Sequence, residues 1–391
     1  MITVEQALQH IKNITVQQPK SLVQMSEALN CVLAEDIHSP INMPPFRQSA
    51  MDGYAINAHE SNHYLLVGEI KAGDNSQFEL KRGEAVRIFT GAPVPDSSNA
   101  VVMQEKVQRL DDNKILIDGE VKAEENIRPL GEQIQKGEVA LREGDKLNPA
   151  SIGFLATLGL DKVIVRQAPK VAILYTGNEL VEPGTPLDYG QIYNSNSIML
   201  QSALYELGCK SVEIHHCMDD LSSTRQKVAS LLDDNEVLIV SGGISVGDYD
   251  FVKDALEYND VEEVFYKVKQ KPGKPLFFGR KDEKLIFALP GNPAAALTCF
   301  YVYLLPVIQR ALGAEDFALE RQYLPLKEKY EYKGGRALFL KGKRTKNGVE
   351  ILEGQSSAML HTFALADSLI YISGEKSNYD QGDLVEVIKI K

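Results

Sequence analysis

Ser241-Gly242-Gly243, followed by Ser245, Gly247, Asp248 and Asp250, is the stretch of this 391-residue chain densest in chemistry. Glycines carry no side chain, so main-chain N–H groups near Gly242 and Gly243 can come close to an anion. Two carboxylates directly after such a cradle repel a phosphate unless a divalent cation joins them. The pattern points to phosphate binding with Mg²⁺. The same residues also read as a tight strand-to-helix turn capped by Asp250. A glycine-rich loop alone does not separate the two readings.

A second concentration lies in residues 265–281. Lys267, Lys269, Lys271, Lys274, Arg280 and Lys281 occur there without an acid, in a chain of net charge −12. An anionic ligand accounts for such an excess, and a solvated basic loop is the plainer account. Lys271-Pro-Gly-Lys274 sets two ammonium groups on a stiff turn. His59-Glu-Ser-Asn-His63 matches the zinc-protease pattern, in which two His share a helix face. Its flanks read as strands, so a polar loop without zinc is expected. No Ser/His/Asp or Cys/His nucleophile set stands out. His215-His216 alternates across a strand, so one imidazole at most points into a site.

These residues need elements to hold them. Residues 237–240 are an uninterrupted apolar run, as in a strand buried on both faces. Residues 171–175 form a similar run and lead into Thr176-Gly-Asn-Glu179. Residues 285–289 lead into Pro290-Gly-Asn-Pro293, with Asn292 as N-cap and Pro293 at the first position of a helix over 294–304. Helical patterns over 197–207, 221–232 and 251–258 and a strand over 212–215 complete an alternation. The class is multidomain α/β, with a central doubly wound domain. Its strand ends at Thr176, Ser241 and Pro290 should share one edge, where such folds bind ligands.

Upstream, Thr3-Val-Glu-Gln6 is a capping box opening a helix, and residues 26–34 have the spacing of a second one. Three prolines within 39–46 mark a connector. Asp52-Gly53 is a turn signal beside a strand over 54–56. Residues 64–148 alternate short strands and turns, predicting a β-rich lobe. Thr90 there is a cleft residue or a turn former. A short helix is expected over 152–158. From about Glu315 the helices stop, and strands over 336–343, 349–352, 368–373 and 384–390 predict a small C-terminal β-barrel.

Composition is ordinary for globular proteins, with 44% apolar and 25% charged residues. The acidic balance argues against nucleic acid as a partner. The four cysteines form no CxxC pair, as expected for reduced thiols in a cytoplasmic protein. No signal-peptide pattern is visible, and no apolar run approaches the ~18 residues of a membrane span, so no membrane partner is expected.

Six motifs occur in one order: Ser49-Ala-Met-Asp-Gly-Tyr-Ala, Thr90-Gly-Ala, Thr176-Gly-Asn-Glu-Leu, Ser241-Gly-Gly-Ile-Ser-Val-Gly-Asp-Tyr-Asp, Lys271-Pro-Gly-Lys-Pro and Leu289-Pro-Gly-Asn-Pro. With them the whole chain resembles the MoeA-type molybdopterin molybdenumtransferases, a family also similar to the C-terminal region of gephyrin. The resemblance implies an elongated homodimer of four-domain chains. A linker and dimerisation domain would comprise 1–25, 40–50 and 132–168, and a β-rich lobe 26–39 and 51–131. The molybdopterin-binding domain would span 169–314 and the C-terminal domain 315–391. It implies a transferase that inserts molybdate into adenylylated molybdopterin, with Mg²⁺-dependent release of AMP and formation of molybdenum cofactor. A pterin adenylyltransferase would be the upstream partner.

The resemblance also implies roles. Asp250 would hold Mg²⁺ or water. Asp52, Thr90, Glu179 and Asp220 would be functional, Asp52 and Thr90 reaching across the dimer. Ser241, Gly242, Gly243, Ser245 and Asp248 would meet the phosphates. Lys271, Lys274, Pro290, Pro293, Arg336 and Ser356 or Ser357 would complete the binding residues, with the molybdate pocket among them. The chain departs from the family pattern at Arg47-Gln48, at Gln133, which replaces a carboxylate, and at Ala294-Ala295, which loses a hydroxyl. Two other readings of the fold are a molybdopterin adenylyltransferase and a non-catalytic scaffold.

Overall fold

The computed structural model describes residues 1–16, 19–75, 77–244, 251–314, 319–332 and 334–391. The chain packs as two compact units. One comprises Met1–Leu22, Asn30–Ala34 and Ile164–Lys391, the other Val23–Leu29 and Glu35–Val163.

The centre of the first unit is a six-stranded sheet. Its strands are β1 (Val171–Thr176), β2 (Val212–Cys217), β3 (Val237–Ser241), β4 (Glu262–Tyr266), β5 (Phe277–Lys281) and β6 (Lys284–Leu289), in spatial order β2-β1-β3-β6-β5-β4. The first four are parallel, and β5 runs antiparallel to both β6 and β4. Alternate residues of the apolar runs face opposite ways, and each face is covered. Ile173, Ile239 and Phe287 pack with Leu200 and Leu204 of helix α1 (Asn196–Glu206) and with the helix starting at Pro293. Leu174, Val240 and Ala288 pack with Val228 and Leu232 of α2 (Leu221–Asp234) and with Leu256 of α3 (Val252–Tyr258). This is the doubly wound arrangement that the alternating pattern predicts.

The helix from Pro293 runs on to Ala311 and passes through a π turn at Phe300–Leu304. It is long and apolar enough to cross a membrane, yet 83% of its apolar window is buried inside the protein. It is a core helix, longer than the sequence pattern indicated.

C-terminal strands Arg321–Pro325, Ala337–Thr345, Gly348–Ile351, Ser368–Ile372 and Leu384–Lys389 form an antiparallel sheet. Its edge accepts a further short strand, Gln270–Lys271, parallel to Ala337 and Leu338. That pairing ties the lysine turn to the backbone beside Arg336. The expectation that helices stop at 315 is corrected by a short one, Leu360–Leu365. No Gly or Pro interrupts residues 355–373, so one turn can form there.

The second unit holds another six-stranded sheet, in the order Ala100–Met103, Gly53–Ile56, Glu84–Ile88, His63–Ile70, Lys114–Ile117, Val107–Arg109. Both faces are buried, one around Val86 and Ile88, the other around Tyr54 and Ile115. This is the expected β-rich lobe. Residues 26–34 do not form a helix. A 3-10 turn covers Met25–Glu27, and Asn30 adopts φ +67°, which breaks helical continuation. His59-Glu-Ser-Asn-His63 is a turn running into the His63 strand. His59 Nε2 meets the His63 carbonyl oxygen at 2.9 Å, so the two imidazoles share no helix face.

Candidate active site

The ends of β1, β3 and β6 open on one cleft of about 920 Å³ within the first unit. β1 ends in Thr176-Gly177, β3 in Ser241-Gly242-Gly243, and β6 in Pro290-Gly291-Asn292. Gly242 and Gly243 have φ +95° and +61°, a region that strongly favours glycine. Space demands it as well. A Cβ on Gly243 would stand 2.7 Å from Val252 Cγ2 and 2.9 Å from Thr176 Oγ1. Main chain and ligand can therefore approach closely at this turn.

Asn196, at the start of α1, ties two of the strand ends together. Its Nδ2 donates to Ser241 Oγ at 2.9 Å and to the Gly291 carbonyl at 2.8 Å. Its Oδ1 is buried and has no partner among the described residues, and the same holds for Thr176 Oγ1. Both residues line the cleft. Tyr175 stacks on His216 with ring centroids 4.7 Å apart and donates its hydroxyl to Glu182 at 2.7 Å. Burial, reinforced by that carboxylate, pushes the Tyr175 hydroxyl up to about 12.

The opposite wall comes from the lysine turn and the C-terminal sheet. Lys271, Lys274 and Arg336 line it and are exposed to solvent. Beneath the turn, Gln270 is fully buried. Its Nε2 donates to the Pro272 carbonyl (3.1 Å) and the Gly273 carbonyl (3.2 Å), and its Oε1 accepts from Tyr303 Oη. Ser357 closes the wall. Asn292 Nδ2 donates to Ser357 Oγ at 3.0 Å. The Ser357 carbonyl accepts from the N–H groups of Ala294 and Ala295 at 3.0 and 3.3 Å. Asn292 thus occupies the N-cap position, but its side chain does not cap the helix.

Of the residues singled out in the sequence, Glu179, Ser241, Gly242, Gly243, Lys271, Lys274, Pro290, Pro293, Arg336 and Ser357 all line this cleft. Asp219 lines it, whereas Asp220 caps α2, accepting from Ser223 N at 2.7 Å. The Ser223 hydroxyl, then its amide, hold the Asp220 carboxyl below the usual range. Ser356 is not among the residues lining the cleft, and its carbonyl accepts from Lys341. Asp52 and Thr90 belong to the second unit and bond each other. Thr90 N and Oγ1 donate to Asp52 Oδ1 at 2.7 and 2.8 Å. Those two bonds, the amide first, lower the Asp52 pKa. Ser245, Asp248 and Asp250 lie outside the described residues. Asn196, Asp219 and Gln355 are cleft residues that no local motif announced. Ala295, at the departure from the family pattern, also lines the cleft.

Three family models cover nearly the whole chain. They are the MoeA N-terminal region (domain I and II) over residues 2–159, a probable molybdopterin binding domain over 172–310, and the MoeA C-terminal region (domain IV) over 323–390. The molybdopterin molybdenumtransferase of Haemophilus influenzae is 34% identical over 99% of this chain and 98% of its own length. That of Staphylococcus aureus is 31% identical over 99% and 95%. Two crystal structures of a molybdopterin biosynthesis MoeA protein from Pyrococcus horikoshii superpose over 100% of this chain. Their TM-scores are 0.84 and 0.80 at 31% and 27% identity, covering 99% and 100% of those chains.

Proposed function

The chain belongs to the MoeA-type molybdopterin molybdenumtransferases, and from that premise we propose that its cleft takes adenylylated molybdopterin and molybdate and releases AMP. It is a transferase of molybdenum cofactor biosynthesis that inserts molybdenum into molybdopterin. The observation that carries the finer reading is convergence. A glycine-lined strand end suited to phosphate and three cations suited to an oxyanion face the same cleft.

In this reading the phosphates lie along Ser241, Gly242 and Gly243, with Ser245 and Asp248 as further phosphate residues of the same motif. The orphaned Thr176 Oγ1 and Asn196 Oδ1 gain partners when substrate enters. Lys271, Lys274 and Arg336 hold molybdate by charge-assisted hydrogen bonds, and Ser357 orients it. Asp250 positions the water that adds to phosphorus as the P–O–P bond breaks. Mg²⁺ fits the donors present. Among the described residues no cluster of three metal-ligating side chains is preformed, but Glu179 and Asp219 bring carboxylates to the cleft. Mg²⁺ takes a few such oxygens together with water and substrate phosphates. When bound, it neutralises charge developing on the phosphates. Asp52 and Thr90 serve the cleft of a second chain in a homodimer, with a pterin adenylyltransferase upstream. An adenylyltransferase activity for this chain itself would leave the matched regions outside 172–310 without a role.

The test is AMP release from adenylylated molybdopterin, molybdate and Mg²⁺. Lys271→Ala and Lys274→Ala should each raise the molybdate concentration for half-maximal rate at least tenfold. A charge-assisted contact is worth about 1.5–3 kcal/mol. Unchanged molybdate dependence in both variants would remove the oxyanion role.

A further inference from the structure

Lys341 lies outside every motif, in the strand Ala337–Thr345, and is 3% exposed. Burial lowers the pKa of its ammonium. No carboxylate pairs with it among the described residues. Instead its Nζ donates to three carbonyls of one short segment: Gly354 at 2.8 Å, Ser356 at 3.1 Å and Met359 at 3.1 Å. An ammonium has three donors, and here all three converge on a single loop. Gln355 locks the same loop from the side. Its Oε1 accepts from Lys341 N, and its Nε2 donates to the Lys341 and Leu352 carbonyls.

A buried ammonium without a counter-ion is costly, and a hydrophobic side chain would fill the space more cheaply. What the lysine adds is position. Ser357 and Ala358 lie between its second and third carbonyl partners, and both polar ends of Ser357 are fixed in turn. The carbonyl sits on the first amides of the Pro293 helix, and the hydroxyl sits on Asn292. The loop is thus clamped between Lys341 behind it and the helix start in front, with Gln355, Ser357 and Ala358 presented to the cleft.

We propose that Lys341 is a positioning residue for the oxyanion end of the cleft, acting through the loop at 354–359 and setting where Ser357 stands relative to Lys271, Lys274 and Arg336. This rests on the molybdate reading above. Lys341 does not touch substrate. Its removal loosens one wall of the oxyanion pocket and leaves the phosphate side, built on Ser241–Gly243 and Asn196, as it is.

Lys341→Met keeps most of the volume, with a chain one atom shorter, and removes the donors. The expected result is a rise of about tenfold in the molybdate KM, with the KM for adenylylated molybdopterin within about twofold of wild type. Hydrogen exchange at the Ala294 and Ala295 amides, which need no substrate, should quicken about tenfold in the same protein, because their acceptor is no longer held. Should that variant fail to fold, Lys341→Gln removes the charge and keeps two donors, and the same joint shift is expected. In either folded variant, a molybdate KM that stays at the wild-type value, or that rises without faster exchange at these two amides, overturns the proposal. So does an equal rise in both substrate KM values, which marks a general loss of structure. Lys271→Ala and Lys274→Ala, measured alongside, separate the two levels. If both leave the molybdate KM unchanged, the molybdate reading itself fails. If either raises that KM and the Lys341 variants do not, only the positioning role fails.

Discussion

Thr176 and Asn196 carry the least obvious part of the site. Each has a buried oxygen without a partner among the described residues, a state that costs about 1–3 kcal/mol per group. Thr176→Val replaces the hydroxyl by a methyl of similar shape. The free protein should gain stability, by roughly 1 kcal/mol or less, while affinity for adenylylated molybdopterin falls several-fold. Thermal unfolding and ligand binding on one preparation check this. A destabilised variant with undiminished affinity would show the hydroxyl to be structural. The sequence made Thr176 visible through its motif, but nothing local shows that a hydroxyl lacks a partner. Asn292 was legible as an N-cap by position, yet its amide goes to Ser357, 65 residues on. Asp219 and Asp220 show the same limit. Adjacent carboxylates at a strand end look alike in sequence, and backbone direction decides that one caps α2 while the other reaches the cleft.

At the scale of elements, the central strands were readable because each is a short apolar run ending in glycine or proline, and burial on both faces leaves no other use for such runs. The pairing of Gln270–Lys271 with Ala337 and Leu338 was not readable. A two-residue ladder between distant segments leaves no periodicity. Residues 26–34 misled because Ala28, Leu29, Val32 and Leu33 have helical spacing. Ala28, Val32 and Leu33 are instead buried on the two sides of a turn at Asn30, and Leu29 is exposed. The turn after β3 makes a measurable prediction. Gly243→Ala combines positive φ with contacts of 2.7 and 2.9 Å. Gly190→Ala also meets positive φ, at +91°, but nothing within 4 Å. Left-handed backbone costs about 1–2 kcal/mol at either position. Denaturant unfolding should show Gly243→Ala losing that and at least about 1 kcal/mol more from overpacking. Equal losses would mean that the packing around Gly243 yields freely.

For the molecule as a whole, the proposed homodimer is what light scattering should report: twice the chain mass at micromolar concentration. Asp52→Ala and Asp250→Asn chains, each inactive alone, should regain part of their activity when mixed, because one wild-type site can then be assembled from two chains. A fully active monomer would rule out shared sites. The cleft's cations stand out against a net charge of −12, and their setting has a consequence for how substrate is captured. The Ala294 and Ala295 N–H groups are already taken by the Ser357 carbonyl. On the proposed reading, attraction for a dianion falls to Lys271, Lys274 and Arg336, all facing solvent. Mobile ions screen such exposed charges over about 8 Å at physiological ionic strength. Capture of the metal oxyanion should accordingly weaken as salt rises, while seating of the pterin against the glycine-lined strand ends changes far less. The enzyme's demand for molybdate is then set partly by the electrolyte around it.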